Sequence, residues 1–380
     1  MACLHGDPSE SEPPPVRLLD EASALELVSG NMTEMTDAVD PMQDMAGDER
    51  GFRAEVRALE LLGMLSPGLI EAPADVAEVT VSNLLAYYYI PTREIVIIDR
   101  GDPVTDVDAN AVLAHEFVHA LQDRRYGLAT FGGEVAGDAD GSLAVGSLIE
   151  GEATLYQYLL TFAYRGVDFR YFNFPRFFND LVLYGEDATL EAGSPAITAS
   201  GIFPYTLGAR YAGEIWLLGG ADALEAQFQA PPSTSWEVIE NRPPATNVER
   251  FEQNPVPLDG STLLADDVAG AWVVAATLGS AGVDVLEDSL SELAGHWRGD
   301  HYWVFTTADE TPTVTALWAI EWSAPPNAER FAALAAALAP AGAALRLETE
   351  GTTTRITATE RPEELDAWRE RLAEAAAAGP

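Results

Sequence analysis

The stretch from Asp106 to Tyr126 limits what this chain can fold into more than any other. It contains Ala114-His115-Glu116-Phe117-Val118-His119-Ala120-Leu121-Gln122-Asp123, with two of the protein's five histidines four residues apart. On an α-helix, residues i and i+4 share a face, about 6 Å apart at Cβ. One metal ion fits between two imidazoles so placed. Glu116 stands beside the pair, where it reaches a water on the ion without being a ligand. The flanks agree with a helix. Thr105 is the expected N-cap, Asp108 lies three residues on, Arg124 and Arg125 suit the last turn, and Gly127 is a stop signal. Leu113, Phe117, Ala120 and Leu121 form an apolar face, which predicts burial. Buried histidines without partners are costly, so metal binding is preferred to the bland reading of two surface histidines.

A catalytic tetrahedral site needs a third protein ligand and one open position. His5 sits in an expected tether, and His296 and His301 lie far along the chain, so a carboxylate is the better candidate. Glu150 and Glu152 fall in a second expected helix, opened by Asp138, Asp140 and Ser142 and carried by Leu143, Leu148, Ile149, Leu155, Leu159 and Leu160 to Arg165-Gly166. Helix periodicity turns only one of the two acids towards a metal. The other would be a supporting or solvent-facing group, and the bland reading leaves both in water.

The pattern resembles a group of prokaryotic gluzincin-like metallopeptidases. The residues that carry the resemblance are His115 to Asp123, Leu148-Ile149-Glu150-Gly151-Glu152-Ala153, Phe203-Pro204-Tyr205 with Gly219-Gly220, Pro231-Pro232-Ser233-Thr234 and the Trp297 to Asp300 stretch. The similarity spans roughly residues 80 to 330, and its first two pieces are the specific ones. A His-Pro-Glu common in the group is replaced here by Glu240-Asn241-Arg242, so any role of that histidine does not carry over. The resemblance implies a zincin-like fold and Zn²⁺ held by His115, His119 and Glu150. It further implies Glu116 as general base, Tyr205 (with Tyr126 behind it) as oxyanion stabiliser, and a peptide or protein substrate. Asp123, one turn beyond His119, is either an orienting partner for an imidazole or a solvated acid at the helix end.

Charge is the other strong constraint. The chain has 380 residues and a net charge of −40, and all 21 basic residues are Arg. Such a surface repels itself in dilute buffer, and molar salt, with a Debye length of about 3 Å, removes most of that repulsion. The composition therefore reads as adaptation to high salt, and the chain as a protein of a halophilic archaeon. Nothing in it neutralises phosphates, which argues against nucleic acid. No apolar run spans a bilayer. The single cysteine, Cys3, precedes a polar, Pro-rich stretch and reads as the lipid-bearing start of a surface lipoprotein, placing the chain outside the cytoplasm, anchored to the membrane.

These readings predict an α+β protein: a tether over 1–16, a mostly helical zincin-like metallopeptidase domain with a small sheet over 17–260, and a small C-terminal α+β layer over 261–380. Helices are expected over 16–29, 49–64, 203–218, 269–294, 327–338 and 362–378. Residues 31–48 are polar with four methionines and give no clear reading. Strands are expected over 79–90, 94–99, 302–307, 313–322, 344–349 and 353–359, with residues 231–257 a Pro-rich loop. A strand beside the motif helix would pair with an extended peptide. Tyr87-Tyr88-Tyr89 and the aromatic run over 169–184 read first as core. The functional alternatives are a non-proteolytic zinc-binding surface or scaffolding protein, and a surface protein without metal.

Overall fold

The computed structural model describes residues 13–30, 49–101, 105–135, 137–192, 194–242, 251, 253–280, 290–309, 312–335 and 342–377. The expectations placed on Cys3, His5 and residues 31–48 fall outside them.

Three short strands, β1 (Val16–Asp20), β2 (Ala86–Tyr89) and β3 (Glu94–Asp99), form the first sheet in the order β1-β3-β2. β2 and β3 are the expected antiparallel hairpin, and β1 joins β3 in parallel, Val16 opposite Ile95. Two expectations are corrected here. Residues 16–29 are not one helix but β1 followed by α1 (Glu21–Gly30). The pairing of Val16 to Leu19 with Ile95 to Ile98 overrides their helical periodicity. Residues 79–90 are not one strand either: α3 (Pro73–Asn83) runs into them. Pro73 at its first turn and Asp75, whose carboxylate accepts the Glu71 and Ala72 N–H groups, outweigh the β-branched content of its second half.

The second sheet is antiparallel, β4-β5-β6-β8-β7, built from β4 (Ser261–Asp267), β5 (Trp297–Thr307), β6 (Val314–Trp322), β7 (Ala344–Glu350) and β8 (Thr353–Thr359). β4 was not foreseen. Alternate side chains of the two central strands enter different cores. Trp303, Phe305, Leu317 and Ala319 meet Trp368 and Leu372 of α14 (Leu365–Ala377). Val304, Ala316, Trp318 and Ile320 join the main core with α2 (Glu49–Leu61), α11 (Gly270–Ser280) and α13 (Pro325–Ala335). Burial on both faces explains the nearly unbroken apolar run of β6.

The Trp297-Arg298-Gly299-Asp300 stretch fastens this sheet to the helices. Asp300 accepts the indole N–H of Trp297 (2.9 Å) and Trp318 (2.8 Å) and the backbone N–H of Ala269 (3.0 Å) and Gly270 (2.9 Å) at the start of α11. The expected helix over 269–294 is seen in α11 and in α12 (Leu290–Gly295), and 281–289 lie outside the described residues. Within the Pro-rich loop, α10 (Ser235–Glu240) is capped by Thr234 and Glu237.

α4 (Asp106–Tyr126) packs on α6 (Ala139–Tyr164), and the remaining helices pack on this pair or on the helices and turn beside it. They are α5 (Leu128–Val135), α7 (Phe174–Ala192), α8 (Pro195–Gly201) and α9 (Ala209–Gln229). The main apolar cluster takes side chains from Phe52 through Ala358. The expected helix over 203–218 begins as one π-helical turn, Pro204–Gly208, and breaks at Gly219-Gly220 as expected. Gly220, non-helical at φ 68° and ψ −156°, separates it from a second helical stretch that runs on to Gln229.

Candidate metal centre

α4 starts and stops where its sequence signals lie. The Thr105 side chain accepts the Asp108 N–H at 3.2 Å, and Gly127, left-handed at φ 70°, closes the helix with its N–H on the Asp123 carbonyl at 2.8 Å. Its second half is enclosed, with His115, Glu116, His119, Gln122 and Asp123 all buried. α6 crosses it and brings Glu150 to the imidazoles. α6 also packs closely against the π turn. A Cβ at Gly151 would lie 2.2 Å from the Gly208 carbonyl oxygen, and one at Gly208 would lie 2.5 Å from that of Ser147. The glycine in Glu150-Gly151-Glu152-Ala153 is therefore required by helix contact.

His115, His119 and Glu150 converge. His115 Nε2 is 3.0 Å from Glu150 Oε2, His119 Nε2 is 3.4 Å from the same oxygen, and the two Nε2 atoms are 3.0 Å apart. The hydrogen-bond partners on the far side of each ring fix the tautomers. Gln122 gives its amide hydrogens to the Ile149 carbonyl (3.0 Å) and to Glu152 (2.9 Å), so its oxygen faces His119 Nδ1 at 2.8 Å. Gln157 Oε1 stands 3.1 Å from His115 Nδ1. A proton on each Nδ1 leaves each Nε2 as a bare lone pair. Two lone pairs and a carboxylate oxygen thus point at one spot, and a cation resolves their repulsion. Zn–N and Zn–O bonds of about 2.0–2.1 Å at a tetrahedral angle put ligand atoms about 3.3 Å apart, close to what is seen. Glu150 Oε1 and Glu116 Oε2 are also buried without a hydrogen-bond partner among the described residues. The residues fit a metal ion.

Electrostatics separates the two carboxylates. Burial alone would raise Glu150, but the facing His119 and His115 outweigh it and hold the carboxyl well below its ordinary range. Burial raises Glu116, against the lowering effect of His115, His119 and the Tyr88 N–H that it accepts. Tyr88 lies on β2, so the first sheet touches the motif helix at the residue expected to act as base.

Tyr205 rises from the π turn and stacks on His115, ring centroids 5.9 Å apart at 26°. Tyr126 instead stacks on Phe228, centroids 4.2 Å apart. Burial pushes its phenol up to about 12. Asp123 contacts neither imidazole: it accepts Tyr88 Oη (3.1 Å) and the Leu128 N–H (3.1 Å) and faces Arg93. Glu152 is buried and holds Gln122. His296 and His301 lie elsewhere, against Ser323 and Asp266. Gln122 and Gln157, which orient the imidazoles, were missed by sequence reasoning. The signal was a Gln three residues past His119 and another seven past Glu150.

Compared with protein-family models, with curated proteins and with solved structures, the chain finds no match.

Proposed function

We propose that this chain is a zinc-dependent hydrolase of the gluzincin type that cleaves peptide bonds. The observation that carries the reading is the convergence of His115, His119 and Glu150 with a buried, unpaired Glu116 oxygen beside them. Zn²⁺ held there would supply Lewis acidity, activating water and polarising a carbonyl. Glu116 accepts the proton of the attacking water and hands it to the leaving amine, a task suited to a carboxyl raised by burial. Tyr205, held against His115, donates its hydroxyl to the developing oxyanion. β2 is an edge strand lying against α4, and its Tyr88 N–H points at Glu116 rather than at β3.

The test is metal content followed by activity. Protein purified in molar salt without chelator is expected to carry about one zinc per chain, lost in Glu150→Ala. Glu152→Ala should retain metal, more weakly held. Glu116→Gln should keep the zinc and lose peptide cleavage by two or more orders of magnitude. Absence of zinc from the wild type, even after zinc is added back, would sink the reading. Metal bound with no cleavage in a broad peptide screen would leave a zinc-binding protein in place of a peptidase.

A further inference from the structure

A second chemically distinct place lies away from the metal centre. A cavity of about 380 Å³ opens between α2, the start of α6, α8, α11 and the β4–β5 edge of the large sheet. Leu143 lines it, seven residues before Glu150, or about 10 Å up the axis of α6. Most of the wall is aliphatic, including Leu59, Leu264, Val273 and Val304, and no Arg or His lines it.

Its polar wall is made by neighbours on adjacent strands. Asp267 of β4 and Tyr302 of β5 are paired in register, so their side chains stand side by side on one face. Asp267 Oδ1 accepts the N–H groups of Ala139 (3.0 Å) and Val268 (2.7 Å). Its other oxygen has no hydrogen bond among the described residues, and neither has the Tyr302 hydroxyl, although both side chains line the cavity. The two other acids in the wall are engaged: Asp266 pairs with His301 at 2.9 Å, and Glu55 has interactions of its own. Burial pushes the Tyr302 phenol well up, reinforced by Asp267, Glu55, Asp300 and Asp266, so it stays protonated. Both side chains are half-buried, so their polar atoms face the apolar cavity and can take up a donor from a ligand there.

We propose that this cavity binds an amphipathic organic ammonium ion, a primary amine carrying an aliphatic body. The ammonium donates to the free oxygen of Asp267 and to the Tyr302 hydroxyl oxygen, and the aliphatic body fills the space between Leu59, Leu143 and Val304. An anionic head meets only acids there. A neutral alcohol of the same length gains the apolar contact without the charge-assisted bond.

Calorimetric titration of the full chain in molar salt tests this, with n-hexylammonium, hexan-1-ol and hexanoate as probes. The salt screens adventitious binding to the acidic surface more than binding to a carboxylate inside a cavity wall. One saturable site for hexylammonium is expected, with hexanol at least about tenfold weaker and hexanoate silent. The result should be the same with chelator present, because the metal centre is not involved. Asp267→Asn and Tyr302→Phe should each weaken hexylammonium about tenfold. Tyr302→Phe removes a hydroxyl that holds nothing else in place, so it serves even where the other variant folds poorly. No saturable binding, equal binding of hexanoate, or unchanged affinity in Tyr302→Phe would each overturn the proposal.

Discussion

Gln122 shows how much one side chain decides at the centre. Its amide hydrogens reach Ile149 and Glu152, which flank Glu150 on α6, while its oxygen holds His119. One residue thus sets a ligand's tautomer and ties together the two helices that supply the donor set. Gln122→Ala is expected to lower zinc affinity by about 10- to 100-fold, measured by competition with a chelator, with the fold intact by circular dichroism. An unchanged affinity would mean that the His119 ring is fixed by its packing alone. The histidines and Glu150 were legible because ligand spacing on a helix is local. The two glutamines were not, because whether a carboxamide meets an imidazole depends on how closely another helix approaches. Asp123 shows the same limit: its position near His119 in sequence does not bring it to the ring, and Tyr88 and Leu128 take its oxygens instead.

Among the elements, Gly151 reverses an ordinary rule. Alanine in place of a helical glycine normally stabilises by up to about 1 kcal/mol. Here the added methyl would meet the Gly208 carbonyl at 2.2 Å, so α6 and the π turn must separate. Gly151→Ala is expected to destabilise by about 1–3 kcal/mol, read from urea unfolding. It should also loosen zinc, because the displaced turn carries Tyr205 off His115. α4 was readable to within a residue, as was the β7–β8 hairpin around Gly351, and α6 was readable from its opening signals at Asp138 to Ser142 and its stop near Arg165-Gly166. The failures are β1, α3 and β4. β1 and β4 owe their conformation to a neighbouring strand. α3 has local signals in Pro73 and Asp75, but β-branched content at Val76, Val79, Thr80 and Val81 masks them.

For the whole molecule, charge sets the conditions under which the fold survives. With 61 acidic and 21 basic residues, the thermal midpoint is expected to rise steeply between about 0.1 M and molar KCl, as the screening length falls from about 10 Å to 3 Å. A flat salt response would show that the charges are already locally balanced. Some acids are instead buried at the junction of helices and sheet. Burial raises Asp267 from 3.8 to about 6, despite the Ala139 and Val268 N–H groups. Its folded form therefore holds the proton more tightly than the unfolded chain does. Its contribution to stability is complete below pH 3.8 and is lost as pH rises through about 6. The loss amounts to about 3 kcal/mol. Asp267→Asn keeps the accepting oxygen and removes the charge, so its stability relative to wild type should climb across that window in denaturant titrations.

The chain carries eight tryptophans. Six of them, Trp272, Trp297, Trp303, Trp318, Trp322 and Trp368, are sealed in the large sheet and the helices that cover it. The rings around the metal centre are histidine and tyrosine. Light emitted by this protein on ultraviolet excitation therefore comes chiefly from the half that does no proposed chemistry. Melting followed by that emission tracks the sheet, and loss of an ion from the proposed metal centre goes unseen by it unless the loss spreads across the shared core. A difference between an emission melt and a calorimetric one would time the two halves separately, with no label attached.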